Sequence, residues 1–176
     1  MTLPPLTPPN HSDTYAHLPL RGCVGIVVFN NDGKVFIGKR VHSPEQATPH
    51  EFFWQMPQGG IDDGEDATTT AHRELFEETG ITKAHILRIA PHTISYTFTD
   101  SMIENPHINK RYRGQEQTWV AMRFTGTDAD INLNAQQPAE FVDYRWVDLA
   151  ETIDLIVPFK RAVYEHVYGL FKDLQS

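Results

Sequence analysis

One cysteine, Cys23, stands among 176 residues, so the chain cannot close a disulfide within itself. A lone thiol suits a reducing compartment, and a cytoplasmic location is expected. No run of 18 apolar residues is present, which argues against a membrane-spanning helix. Positive charge is also scarce. Lysine and arginine number 15 against 23 aspartates and glutamates, for a net charge of −8. A broad basic face for DNA or other nucleic acid is therefore excluded, and an anionic ligand would need a few local cations or bridging metal ions. The nine histidines have no paired cysteines near them, which speaks against a zinc site. There is no internal repeat and no linker that would divide the chain. The N-terminus lacks the basic start and apolar core of a secretory signal. Its prolines, Pro4, Pro5, Pro8 and Pro9, suggest a mobile, extended tail over residues 1–17. Residues 18–174 then form one domain, of a size and apolar content (40% hydrophobic) that supports a core.

What is abundant is acid in one place. Glu74, Glu77 and Glu78 stand at helical offsets of three and four. A helix over this stretch is predicted to start at Asp66, a good N-cap, and to stop at Gly80, a good C′ residue. Ala67, Ala71 and Leu75 recur every fourth residue and form the face that packs on a sheet, with the glutamates looking outward. Two carboxylates about 4 Å apart repel by roughly 4 kcal/mol at an effective dielectric near 20. Either this is a solvated acidic face, or a cation relieves it. Hard divalent cations such as Mg2+ or Mn2+ take oxygen ligands, and carboxylates supply them. Arg73, four residues before Glu77, is either a surface ion pair or the group that holds a ligand carboxylate in place. Glu65 fits a supporting role in the preceding loop. Gly59 and Gly60 let the backbone approach closely, so a main-chain carbonyl could complete an ion's coordination.

The remaining chain reads as alternating strands and loops. Residues 23–30 and 35–39 form a hairpin around Asn31-Asp32-Gly33. Residues 42–51 read as a polar loop, and Pro57 argues against a central strand at 52–58. Residues 86–98 are strand-like, with a break at Pro91. Residues 99–113 read as a polar loop carrying Lys110, Arg111 and Arg113, and residues 118–125 and 141–147 as strands. A helix follows Pro158, with a buried stripe of Phe159, Ala162, Val163, Val167, Leu170, Phe171 and Leu174.

The stretch 59–81 resembles the signature of the Nudix hydrolases. That signature is glycine, five residues, glutamate, seven residues, Arg-Glu, an aliphatic residue, any residue, Glu-Glu, any residue, glycine and an aliphatic residue. Gly59, Glu65, Arg73, Glu74, Leu75, Glu77, Glu78, Gly80 and Ile81 meet it at every fixed position. Further runs are similar to the bacterial RNA pyrophosphohydrolases and the related dinucleoside polyphosphate hydrolases. They are Trp54 to Ile61, Arg113 to Trp119, Glu140-Phe141 ahead of Tyr144-Arg145-Trp146, and Val157 to Tyr164.

The resemblance implies an α+β Nudix fold, a mixed β-sheet between helices. It also implies a hydrolase of phosphoanhydrides that uses Mg2+ or Mn2+, with more than one ion. Glu74, Glu77, Glu78, Glu140 and the Gly59 carbonyl would hold the ions. Glu78 or Glu140 would act as base, with Glu77 and Arg73 also in the catalytic set. Arg21, Gln58 and Lys160 would contact substrate. Arg40 and Val157 would sandwich a base, and Phe159 would stack on another unless it is a plain core residue. Candidate substrates are the 5′-triphosphate end of RNA, whose trimming prepares messages for decay, and dinucleoside polyphosphates. The alternatives are a small nucleotide such as ADP-ribose or a nucleoside triphosphate, and a non-enzymatic nucleotide sensor. One departure stands out. The family usually has lysine just before the tryptophan of the Gly-Gln run, where this chain has Thr118, with Glu116 two positions earlier. Lys110, Arg111 or Arg113 could supply the missing phosphate contact.

Overall fold

A computed structural model describes residues 6, 13–41, 53–105 and 111–176. The sheet is mixed. Strand β1 (Leu20–Phe29) runs up its centre, followed by β2 (Val35–Arg40), β3 (Trp54–Gln55) and β4 (Gln58–Gly60). Helix α1 (Ala67–Thr79) comes next, then β5 (Ala84–Ile89), β6 (Ile94–Thr97) and the short helix α2 (Asp100–Glu104). The chain continues through β7 (Gly114–Phe124), β8 (Phe141–Val147), α3 (Thr152–Leu155) and α4 (Arg161–Phe171). Along one flank β1 pairs in parallel with β7 over its whole length. On the other flank its partners change. Residues 23–25 pair antiparallel with β4, and Phe29 pairs with Val35 of β2.

Alternation along the strands divides the core in two. Val24, Ile26, Val28, Phe36, Val120, Met122 and Phe124 face α1, where they meet Ala71 and Leu75. Val27, Phe29, Val35, Ile37, Trp119 and Ala121 face α4, where they meet Val163, Tyr164, Val167 and Phe171. This is the expected mixed sheet between helices, a consequence of the period-two side-chain direction in β1 and β7.

Local chemistry explains most boundaries. Asp66 accepts a hydrogen bond from the Thr69 amide (2.7 Å) and starts α1. Gly80, at φ 70°, ends it by donating its N–H to the Phe76 carbonyl. The expected hairpin turn is closed by Asn30, whose side chain accepts from the Asp32 and Lys34 amides. The expected break near Pro91 separates β5 from β6.

Some expectations are corrected. Helix α2 lies within the stretch read as a polar loop, because Thr99 caps it and Ile103 anchors it in the interior. Lys110 and the loop 42–51 lie outside the described residues. Where Pro57 argued against a strand, two very short ones flank it, and the Pro57 carbonyl accepts from the Ile26 amide. Within the segment expected to be an extended tail, two places are described. Leu6 bridges Tyr96 of β6, and Asp13–Tyr15 forms a 3-10 turn. No helix among the described residues is long and apolar enough to cross a membrane.

Candidate active site

Strand β4 is a three-residue strip with chemistry on both sides. On the α1 side, Gly59 lies directly against Glu74; a Cβ there would overlap the carboxylate. The Gln58 amide donates to Glu78 Oε2 (3.2 Å). The expectation that the glutamates look outward is therefore corrected. Glu78 is 3% exposed, and the Glu74 side chain is mostly covered, because both turn toward β4 rather than toward water. Burial first, then the charges of Glu140 and Glu74, hold the Glu78 carboxyl well above the usual carboxylate range. Burial likewise raises Glu74.

Arg73 occupies the middle of the acidic group. It forms a two-pronged pair with Glu65, Nε to Oε1 and Nη2 to Oε2, both 2.8 Å. Nη1 donates to Glu74 (2.7 Å) and Glu77 (3.3 Å), and Nη2 also reaches the Gly60 carbonyl (2.9 Å). Glu65 is fixed in turn by the Thr70 hydroxyl (2.9 Å) and the Asp62 amide (3.3 Å). The Arg73 hydrogen bonds pull the Glu65 carboxyl down to about 2.

Glu140 is exposed and lies just ahead of β8, where its carbonyl accepts from the Val41 amide (3.0 Å). Its charge is felt at both Glu74 and Glu78. Among the described residues, no three acidic, histidine or cysteine side chains are gathered tightly enough to hold an ion as they stand. The donor set nevertheless fits a hard divalent cation. It is all oxygen, and burial first, then the charges of neighbouring glutamates, raise the carboxyls of Glu74 and Glu78, a cost that a double positive charge removes.

On the α4 side the charges reverse. Arg21 packs over Gly60, where a Cβ would overlap its guanidinium. A shift of register between Lys39 and Arg40 in the β2–β8 pairing re-aims the end of β2, and Arg40 is felt electrostatically at Glu78 and Lys160. Lys160 ends the 3-10 turn Pro158–Lys160 and is 7% exposed. Burial first and Arg40 second bring its ammonium down to about 8. Its Nζ donates to Gln58 Oε1 (3.4 Å) and lies 5.6 Å from the Tyr96 ring centre and 5.9 Å from that of Phe159. Phe159 is half-buried, with its ring 6.0 Å from Tyr96, and Val157 is half-buried one turn before Lys160.

Thus Glu74, Glu77, Glu78, Arg73 and Gly59 gather on one side of β4. Arg21, Arg40, Lys160 and Phe159 gather at the same end of the sheet, and Gln58 joins the two groups. The sequence alone assigned no role to Gln115, Gln117, Trp119 or Tyr96, which line the α4 side as a hydrogen-bonded row. Their signal was the alternation Gln115, Gln117, Trp119 on one face of β7.

A fold of this kind, with an acidic helix packed against a strip of glycines, defines a class. The NUDIX domain family model matches residues 19–167, and the chain belongs to that family. Nudix hydrolases generally need divalent metal ions. Similar proteins include the RNA pyrophosphohydrolase of Dinoroseobacter shibae, 49% identical over 92% of this chain and 97% of that protein. That of Pelagibacter ubique is 44% identical over 93% and 98%. Among solved structures, a C. elegans Ap4A hydrolase complex superposes with a TM-score of 0.59 at 17% identity, over 88% of this chain and 99% of that one. The E. coli dihydroneopterin triphosphate pyrophosphohydrolase gives 0.58 at 18%, over 84% and 96%. The expected family and fold are borne out, and the chain is a hydrolase of phosphoanhydrides.

Proposed function

We propose that this Nudix enzyme converts the 5′-triphosphate end of RNA to a monophosphate, and that dinucleoside polyphosphates serve as a second substrate of the same site. The observation that supports this most is the arrangement across β4, with buried carboxylates on one side and, on the other, a buried lysine that has no ion-pair partner among the described residues. Such a site suits a ligand with several phosphates in a row. Relatives that match nearly end to end carry the name RNA pyrophosphohydrolase, which supports RNA as the substrate.

In this reading Glu74, Glu77, Glu78, Glu140 and the Gly59 carbonyl hold Mg2+ or Mn2+, more than one ion in all. Bound there, divalent ions neutralise phosphate charge and acidify a bound water. Arg73 keeps Glu74 and Glu77 in place, and Glu65 keeps Arg73 in place. Glu78 or Glu140 takes the proton from the attacking water. Lys160 and Arg21 contact phosphate oxygens, with Gln58 beside them, while Arg40, Val157 and Phe159 receive the base. Lys110, Arg111 or Arg113 compensates for Thr118. The single cysteine, buried and free, agrees with a cytoplasmic enzyme.

The test is direct. Pure protein with Mg2+ is mixed with triphosphorylated RNA, diadenosine tetraphosphate and ADP-ribose, and the products are identified. Monophosphorylated RNA is the expected product. Turnover of ADP-ribose alone would reassign the enzyme to small nucleotides, and no turnover of any would favour a nucleotide-binding module.

A further inference from the structure

Gln117 lies on β7 and is 1% exposed, with no place in the roles assigned so far. Its two ends face different partners. The indole N–H of Trp119 donates to Gln117 Oε1 (3.1 Å). Gln117 Nε2 donates to Gln115 Oε1 (3.0 Å) and to Gln58 Oε1 (3.2 Å). The Tyr96 hydroxyl also donates to Gln115 Oε1 (2.9 Å).

The direction of this chain of bonds is forced. An indole nitrogen only donates, so Gln117 must turn its carbonyl toward Trp119 and its amide group toward Gln58. An ammonium also only donates, so Gln58 must offer Lys160 a carbonyl. Both ends of the chain thus demand the same orientation of the Gln58 amide. Reversed, Gln58 would set its own N–H groups against those of Gln117 and against the Lys160 ammonium. Trp119 is fully buried, as Gln117 nearly is, so water cannot take over the lost bonds.

The neutrality of these partners matters as much as their direction. A carboxylate at position 58 would hold Lys160 more strongly, but it would cancel the charge and repel phosphate. The Gln58 carbonyl and the Tyr96 and Phe159 ring faces hold the ammonium without cancelling its charge.

We propose that Gln117 is a positioning residue for substrate phosphate: by fixing the Gln58 amide carbonyl-first toward Lys160, it holds the Lys160 ammonium where the polyphosphate binds. The proposal rests on the reading of Lys160 as a phosphate contact given above.

The test is steady-state kinetics on 5′-triphosphorylated RNA with Mg2+. It compares wild type, Gln117→Met, Gln117→Glu, Lys160→Met and the double variant Gln117→Met/Lys160→Met, with a melting curve for each. Both Gln117 variants should raise KM about tenfold with kcat within about twofold of wild type, because an interaction made equally in ground and transition states moves KM alone. In the Lys160→Met background, Gln117→Met should add nothing further to KM. An equal added rise there, or a fall in kcat with KM unmoved, would overturn the proposal and leave Gln117 a packing residue. If Gln117→Met does not fold, Gln117→Glu keeps the side-chain shape and the Trp119 bond, and an unchanged KM in that variant overturns the proposal as well. A normal KM in Lys160→Met would instead overturn the phosphate role of Lys160, and this proposal with it.

Discussion

Glu78 brings a carboxylate to a place where, without a cation, it is costly to keep charged. Its raised folded pKa means that folding without a cation shifts this carboxyl toward the protonated form. The contribution of this one group to stability should therefore be full below the ordinary carboxylate pKa of about 4.5 and be lost as pH rises through the folded value. Glu78→Gln removes that cost. In chelator at pH 8 the variant should melt several degrees higher than wild type, at roughly 2–4 °C per kcal/mol for a chain this size. With Mg2+ present, its turnover should fall a hundredfold or more, on the order of 3 kcal/mol of transition-state stabilisation. Undiminished turnover would refute the metal assignment. Lys160 shows the opposite sign. Its ammonium titrates near 8, so kcat/KM should decline above about pH 8 in wild type, and that limb should vanish in Lys160→Met. At Phe159 the two readings of the sequence converge, since the ring packs against Tyr96 yet is only half-buried. Phe159→Ala should weaken substrate binding by about 1–3 kcal/mol if a base stacks there. A lower melting temperature with unchanged KM would mark it as core only.

At the scale of elements, legibility followed locality. The limits of α1 could be read because Asp66 and Gly80 act on backbone groups within one turn of themselves. Gly80→Ala should cost on the order of 1–3 kcal/mol, because a Cβ at φ 70° is strained and would lie 2.9 Å from Asn132 Cβ. A thermal melt unchanged from wild type would contradict that. The two-faced pattern of β1 and β7 was equally plain from alternation. What could not be read depended on partners distant in sequence. Helical spacing said that Glu74 and Glu78 share a face with each other, but not that this face meets β4. Thr99 to Glu104 looked like a loop because its buried anchor is the single residue Ile103. Alternation put Gln117 on the same face as Trp119 but gave it no role, since its meaning comes from Gln58 and Trp119 together. The site was therefore legible as a signature shared with a family, and hidden where a side chain's use is set by a neighbour on another strand.

For the molecule as a whole, a net charge of −8 limits how RNA can be held. Long basic tracks are absent among the described residues, and grip on the substrate should come from a few phosphates at one end of the sheet. The slope of log KM for RNA against log salt should stay below about 3, the value for about four phosphates of a single strand at roughly 0.7 each. A steeper dependence would reveal a more extensive charged path. The narrowness of β4 has its own consequence. Within three residues it lends a backbone amide to one carboxylate, supports another through Gly59, receives Arg73 at the Gly60 carbonyl and sends the Gln58 side chain to the opposite layer. With the site residues proposed above, cation uptake below the sheet and nucleotide capture above it would tug on one short ribbon. Whatever factor the first contributed to the affinity of the second, the second would return in equal measure, so neither half of the proposed apparatus could be tuned alone.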